Sequence, residues 1–215
     1  MHLSTSTLPT ISLNGQGLQW VSQFKYLGHV ISDDLSDRND MRRVKRVLYY
    51  GTNMLSAKLG HAHGSILIRL FTVYCAHMYG SELWNVWCNR RPFRELCVAY
   101  HSSVKKLLKK PVWTRNHELC HEYGLLPCPM FLVKRQLLFH LRLYLSDNEI
   151  VNYLRNSEVG CVGLVAKTHL DIRKRYGLIS LNFRGVTKNG ICNIFASHLE
   201  TVLRDRAVQC ASSPL

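Results

Sequence analysis

The spacing of the apolar residues changes at about residue 36, and this change sets the fold class. Residues 11–31 alternate between apolar and polar side chains around Asn14-Gly15, a strong local signal for a β-hairpin because both residues tolerate positive φ. From there onward the apolar residues recur three or four positions apart, which is the period of an α-helix. The sequence therefore predicts an α+β protein that is mostly α. We expect a short N-terminal β-hairpin at 1–35, a helical bundle at 36–156 and a mixed C-terminal region at 157–215.

The ends of the predicted helices are marked by capping residues and prolines. The first helix begins near Asp37 and ends at Gly60. The second, at 65–79, is apolar nearly all round and is expected at the buried centre of the bundle. The third opens at Pro92 and must stop before Pro111, because proline cannot continue a helix. Further helices are predicted at 116–123, 129–145, 148–155 and 192–209, and the pattern at 176–183 could be a strand.

The chain carries a large excess of positive charge, and most of it lies in one segment. Lys and Arg number 28 against 14 Asp and Glu, which gives a formal charge of +14. Residues 38–110 hold 14 of the cations and 3 of the acidic residues. Clustered cations suit a polyanionic partner, and cationic side chains on a helix neutralise phosphates without reading sequence. The predicted nucleic-acid contacts are Arg38, Arg42, Arg43, Lys45, Arg46, Lys105, Lys106, Lys109 and Lys110.

Cysteine usage and the N-terminal residues predict an intracellular protein, nuclear or cytoplasmic. The eight cysteines form no CxxC pair, and residues 1–18 lack the basic and apolar regions of a secretory signal. The longest apolar stretch is interrupted by Arg69 and His77 and is shorter than the about 20 residues that span a bilayer, so no membrane partner is expected. The lysines at 105–110 could form a nuclear import signal, although cations at a helix end also balance the helix dipole.

A more specific pattern begins with V-S-Q-F-K-Y-L-G at 21–28. Its F-K-Y-L-G run follows the Asn-Gly hairpin and precedes a helix with a basic face at Arg42 and Arg46. Tyr79-Gly80 and Glu82-Leu83-Trp84 then follow the second predicted helix. In this order the motifs resemble the end of the palm and the thumb region in reverse transcriptases of LINE-type non-LTR retrotransposons.

The resemblance continues through Ala99-Tyr100 and fades after about Leu145, so it covers roughly two thirds of the chain. It implies that the helices form a thumb that holds primer–template RNA/DNA. It also implies a primer-grip-like element beside a polymerase site, formed by Phe24, Lys25, Tyr26, Leu27 and Gly28. The complete enzyme of this family copies element RNA into DNA and uses Mg²⁺.

The chain departs from the family at the catalytic centre. Polymerisation needs two metal ions held by palm carboxylates, which the family places on an aromatic-x-Asp-Asp motif upstream of F-x-Y-L-G. Only 23 residues precede Phe24 here, and none is acidic. Asp33-Asp34, Asp37 and Asp40 lie after the motif, at a strand-to-helix junction where carboxylates cap turns and helices. We therefore predict no catalytic residue, metal or cofactor in this chain, with Mg²⁺ and the missing palm and fingers segments belonging to the complete enzyme.

The predicted function is that of a reverse-transcriptase fragment that binds primer–template nucleic acid and is inactive alone. A non-catalytic basic domain that binds nucleic acid or another protein is the alternative. A decayed reading frame without selected activity is a third hypothesis, which the sequence leaves open.

Two further residue sets have both a functional and a structural interpretation, and the structural one is favoured for each. His117, Cys120, His121 and Cys128 could supply zinc ligands, but their spacing matches no known finger and such residues are common in helical cores. Tryptophans could stack on nucleobases, but at helical and strand spacing they more often lie in the core. The tryptophans concerned are Trp20, Trp84, Trp87 and Trp113.

Overall fold

The computed structural model describes residues 11–84 and 90–157, together with residues 174, 197, 199–202 and 204–205. These residues are mostly helical, with two short β-hairpins ahead of the helices, so the prediction of an α+β, mostly α fold is confirmed. The strands are β1 (Ser12–Leu13), β2 (Gln16–Gly17), β3 (Gln23–Tyr26) and β4 (His29–Ser32). The helices are α1 (Arg38–Leu59), α2 (Gly64–Leu70), α3 (Arg90–Leu107), α4 (Asn116–Glu122), α5 (Cys128–Tyr144) and α6 (Glu149–Asn156). The division of the chain at residues 35 and 156 stays a prediction.

Two antiparallel hairpins precede α1, where the sequence indicated one. β1 pairs with β2 through the predicted Asn14-Gly15 turn. β3 pairs with β4 through Leu27-Gly28, whose φ angles are 45° and 82°. Positive φ at both central residues gives a two-residue turn the twist that matches its strands, and Gly28 adopts it without steric cost. The F-K-Y-L-G run is therefore a strand followed by a tight turn.

α1 has the limits and the buried stripe that its sequence predicts. Asp37 and Gly60 flank it, as expected. Its buried face packs against α2 and α3, which leaves the opposite face exposed. The buried apolar side chains follow helical spacing: Met41, Val44, Leu48 and Leu55.

The prediction of one continuous, centrally buried helix at 65–79 is wrong. α2 ends at Leu70, and residues Phe71–Cys75 form a wide π-helical turn. A π turn inserts about one extra residue into the helix and rotates the side chains that follow. The first and last residues of this turn are buried, whereas Val73 and Tyr74 are exposed. The element therefore buries only one side, which packs against α1 and, through Phe71, against Tyr100 of α3, and it exposes the other.

α3 packs beside α1 and runs parallel to it. Lys45 of α1 pairs with Glu95 of α3 at 3.0 Å. Farther along both helices, Lys106 Nζ donates to Asn53 Oδ1 at 2.7 Å. Because the two contacts advance in the same chain direction, the helices are aligned in parallel. The side chains of α3 that enter the core are Leu96, Ala99, Tyr100, Val104 and Leu107.

The limits of α4, α5 and α6 agree with their predicted ranges to within one residue at each end. The predicted strand at 176–183 lies outside the described residues. Those residues of the predicted 192–209 helix that are described are helical. No helix in the described part of the chain combines the length and the apolarity that a bilayer span requires.

The described C-terminal residues pack on α5. Leu199 is completely buried in a cluster with Leu126, Val133 and Leu137. Glu200 pairs with a lysine of α5 at 2.5 Å, and a hydrogen bond from Arg204 to the Gly124 carbonyl adds a second anchor at 2.7 Å. This side of α5 is thereby covered.

Candidate nucleic-acid interface

Asp40, in the first turn of α1, joins the second hairpin to the helices. Its side chain is completely buried. Oδ1 accepts hydrogen bonds from the Val30 amide at 3.0 Å and from Arg43 Nε at 2.6 Å, and Oδ2 accepts one from Trp84 Nε1 at 2.9 Å. His29 Nδ1 lies 3.0 Å from Oδ2 but without hydrogen-bond geometry. A buried carboxyl group is stable only with such donors, so Asp40 fixes β4 against the start of α1.

The junction loop, residues 79–84, packs against the second hairpin at His29 and at Gly28. Gly80 has a φ of 84°, and a Cβ atom built there would lie 2.5 Å from His29 Nδ1. Glycine is therefore required for the backbone conformation and for the close approach. A Cβ atom on Gly28 would lie 3.7 Å from the Tyr79 ring, so the F-K-Y-L-G turn rests on that ring. Two motifs that are far apart in the sequence thus meet in space.

α5 supports the junction loop from a second direction. Arg135 Nε donates to Ser81 Oγ at 3.1 Å, and the same guanidinium forms an ion pair with Glu82. Gln136 Nε2 donates to the Trp84 carbonyl at 2.7 Å. The loop is therefore fixed on the hairpin side and on the α5 side, and it links the two rigidly.

The residues predicted as a primer-grip-like element lie at the surface of the second hairpin. Phe24 and Tyr26 occupy one face of β3, Lys25 occupies the other, and all three are exposed. Leu27 is exposed at the tip of the turn, and Gly28 is half-buried. The hairpin therefore presents two aromatic rings and a cation to solvent while Asp40 holds its return strand.

Three arginines of α1 form an exposed row. Arg38, Arg42 and Arg46 repeat every four residues, so they lie on one face of the helix. Tyr49 and Tyr50 continue the exposed surface toward the middle of α1. This row agrees with the basic face predicted from the sequence.

Two other cations of α1 that were predicted to contact nucleic acid bond to residues of this chain. Arg43 turns toward Asp40, and its Nη2 also donates to the Tyr79 carbonyl at 3.0 Å. Lys45 pairs with Glu95 of α3. These two cations connect elements of the fold, a role that helical spacing alone did not reveal.

α3 adds cations to the same surface beside Glu95. The hydrogen bond from Lys45 lowers the pKa of Glu95 below its ordinary value. The charges of Lys45, Arg91 and Arg42 lower it further. One exposed carboxylate is thus surrounded by cations from both helices, so the exposed face of α1 continues onto α3.

The second predicted cluster lies at the C-terminal end of α3. Lys105 Nζ donates to the Val112 carbonyl at 2.8 Å, and Lys110 pairs with a carboxylate of α4 at 3.3 Å. Lys106, which donates to Asn53 of α1, is exposed, and Lys109 is exposed as well. The parallel packing places this cluster at the opposite end of the helix pair from Arg42.

The four residues of the zinc hypothesis do not share a site. Cys120 and Cys128 are buried, whereas His117 and His121 are exposed. Burial raises the pKa of Cys120 to about 11 and raises that of Cys128 well above its ordinary value, so both remain protonated thiols and poor metal ligands. Across the described residues, no group of three or more His, Cys, Asp or Glu is arranged to hold a metal ion.

The tryptophans do not share one environment. Trp84 is 2% exposed and belongs to the core, as the favoured interpretation predicted. Trp113 is 85% exposed, against that interpretation, and Trp20 is also exposed. Trp87 lies outside the described residues.

No protein-family model matches this chain, and no curated protein or solved structure matches it either. The motifs at 24–28 and 79–84, two of those on which the predicted resemblance to reverse transcriptases rests, meet beside Asp40. Sequence reasoning placed Asp40 among capping residues. Its spacing from Arg43, three positions along a helix, is the one local signal for the ion pair found here.

Proposed function

We propose that this chain is the thumb-like part of a reverse transcriptase of LINE-type non-LTR retrotransposons, and that it binds the phosphate backbones of a primer–template RNA/DNA duplex. The observation that carries this proposal is the exposed surface shared by α1 and α3, which we call the basic face. It consists of Arg38, Arg42, Arg46, Arg91 and Lys106.

The size of the basic face suits a nucleic-acid backbone. Lys106 contacts α1 at Asn53, eleven positions after Arg42. At a rise of about 1.5 Å per residue the two cations are about 17 Å apart along the helix pair. Base pairs repeat at about 3.4 Å, so this span corresponds to about five steps of a duplex. Cations spaced over such a length can contact several successive phosphates.

Contacts of this kind give affinity without sequence selectivity. Long cationic side chains neutralise phosphates and do not read base edges. The hairpin motif lies next to the N-terminal end of α1, and the Asp40 contacts hold it at a fixed position relative to Arg38 and Arg42. A nucleic acid bound on the basic face would therefore meet a preformed hairpin, as expected of a thumb joined to a primer-grip-like element.

Asp40 and Asp34, at the strand-to-helix junction, do not fit the Mg²⁺ of a polymerase site. Both oxygens of Asp40 accept N–H donors, and Asp34 Oδ1 accepts the Ser36 amide at 2.9 Å. A two-metal site needs carboxylate oxygens that are free to bind the ions. We therefore assign no catalytic step to these residues and attribute catalysis to the palm and fingers of the complete enzyme.

The salt dependence of binding tests this proposal. The five cations of the basic face predict a slope of about −4 to −5 for log affinity against log salt, at about 0.9 per phosphate contact. The double variant Arg42→Ala/Arg46→Ala should make the slope less negative by about 2 and weaken binding to unrelated sequences by a similar factor. Fluorescence anisotropy with a labelled RNA/DNA duplex at four or five salt concentrations measures both quantities.

A matched control removes the same charge from other surfaces. Lys58 lies on the opposite side of α1 from Arg42, and Arg69 lies on α2; both are exposed. Lys58→Ala/Arg69→Ala should keep the wild-type slope. Equal losses in the two double variants would mean that net charge, and not the basic face, drives binding. A slope near zero in the wild type would contradict nucleic-acid binding and favour the alternative, a domain that binds another protein.

A further inference from the structure

Trp113 is presented to solvent by an ordered turn beyond the C-terminal end of α3. The Thr114 amide donates to the Pro111 carbonyl at 3.1 Å, which closes a four-residue turn with Trp113 at its third position. Lys105 Nζ donates to the Val112 carbonyl at 2.8 Å and ties this turn to the helix. Trp113 is 85% exposed, so the turn holds a large aromatic residue away from the core.

Most of the charged residues near this ring along the chain are cations, and two of these, Lys110 and Arg115, pair with Glu122 and Glu118 of α4 at the surface. Residues 96–117 contain no Asp or Glu. The five cations of this stretch are Lys105, Lys106, Lys109, Lys110 and Arg115. Aromatic rings beside cations are the combination with which proteins hold single-stranded nucleic acid, because rings stack on bases while cations bind the backbone.

We propose that Trp113 stacks on an unpaired base beyond the duplex that the basic face holds, so that this side chain contributes affinity for the single-stranded extension of a primer–template. This inference rests on the proposed function and adds a residue that contacts the unpaired strand. Lys106 is the last cation of the basic face toward the C-terminal end of α3. Its neighbour Lys105 contacts Val112, the residue before Trp113, so Trp113 lies near this end of the basic face.

Stacking distinguishes paired from unpaired bases. A base inside a duplex is covered on both faces by its neighbours, whereas a base beyond the last pair leaves a face free. An aromatic ring at the end of a phosphate-binding surface therefore adds affinity for an extended strand and none for the interior of a duplex.

Three ligands separate the contributions: a blunt RNA/DNA duplex, the same duplex with a single-stranded extension of about six nucleotides on either strand, and the single strand alone. We expect the 215-residue chain to bind the extended duplex more tightly than the blunt one. Trp113→Ala should weaken binding of the extended duplex by about 5-fold to 100-fold and leave blunt-duplex binding unchanged. Trp113→Phe, which keeps a ring, should retain most of the preference.

Val112→Ala provides the matched control, since Val112 is 82% exposed on the same turn but has no ring. It should keep the wild-type preference. If the wild type and Trp113→Ala bind extended and blunt duplexes equally, the stacking proposal is wrong while the basic face stands. If the wild type binds none of the three ligands, the proposed function fails, and this inference with it. A uniform loss with a lowered melting temperature in Trp113→Ala would assign the ring a structural role and overturn the inference.

Discussion

Asp40, at the centre of the junction, and three arginines of the basic face lie on the same helix, α1. The carboxyl group of Asp40 is buried, whereas the three arginines are exposed. At the junction a buried carboxyl group accepts hydrogen bonds from β4, α1 and the junction loop. On the basic face the cations are exposed, and the ion pair of Arg91 with Glu95 lies at the surface. Buried, fully bonded charges are costly to break, whereas exposed pairs contribute about 0–1 kcal/mol. The junction therefore determines the shape, and the basic face remains available to a partner.

The largest effect that this comparison predicts is on the junction. Asp40→Ala leaves the Trp84 indole N–H and the Arg43 guanidinium without their buried acceptor. We expect the free energy of unfolding to fall by about 3–5 kcal/mol, which urea denaturation measures. Asp34→Ala, at an exposed turn, is the control and should cost less than about 1 kcal/mol. Equal losses in the two variants would contradict the central role of the Asp40 contacts.

Two neighbouring arginines provide the sharpest test of the division between shape and binding. Arg43 is bonded to Asp40 and to the Tyr79 carbonyl, whereas Arg42 is exposed. Arg43→Ala should lower the free energy of unfolding by about 1.5–3 kcal/mol, because it removes charge-assisted hydrogen bonds to a buried group. Arg42→Ala should change it by less than about 0.5 kcal/mol while weakening nucleic-acid binding. Thermal melting measures the stability of both variants, and fluorescence anisotropy measures their nucleic-acid binding. Similar stabilities would contradict the different roles of the two arginines.

The smallest predicted effect is the difference in stability between two glycine variants. It separates the free-energy cost of backbone strain from that of close packing. Gly80→Ala places a Cβ atom 2.5 Å from His29 Nδ1, and Gly15→Ala meets nothing within 4 Å, although both glycines have positive φ. Each variant should lose about 1 kcal/mol from backbone strain, and Gly80→Ala should lose about 1 kcal/mol more because His29 must shift. The difference between the two unfolding free energies is the quantity to measure. No difference would mean that the junction loop tolerates displacement.

The contrast also explains which parts of the fold could be predicted. Caps and apolar spacing gave the limits of α1, α4, α5 and α6 to within a residue, because a helix end depends on side chains within about one turn. The prediction of a helix at 65–79 was wrong because hydrophobicity alone cannot show that Phe71–Cys75 forms a π turn with Val73 exposed. The positive φ of Leu27 could not be predicted either, because leucine rarely adopts it.

The sequence by itself determined the elements of this protein: a hairpin signal at Asn14-Gly15, the period of the helices, and a surplus of cations on the first of them. These properties depend on neighbours along the chain. Only the tertiary structure decided that Asp40 is buried, that α1 and α3 lie in parallel, and that Trp84 enters the core while Trp113 remains in solvent. Those outcomes depend on groups that the chain brings together from distant positions, and no local pattern records which groups will meet.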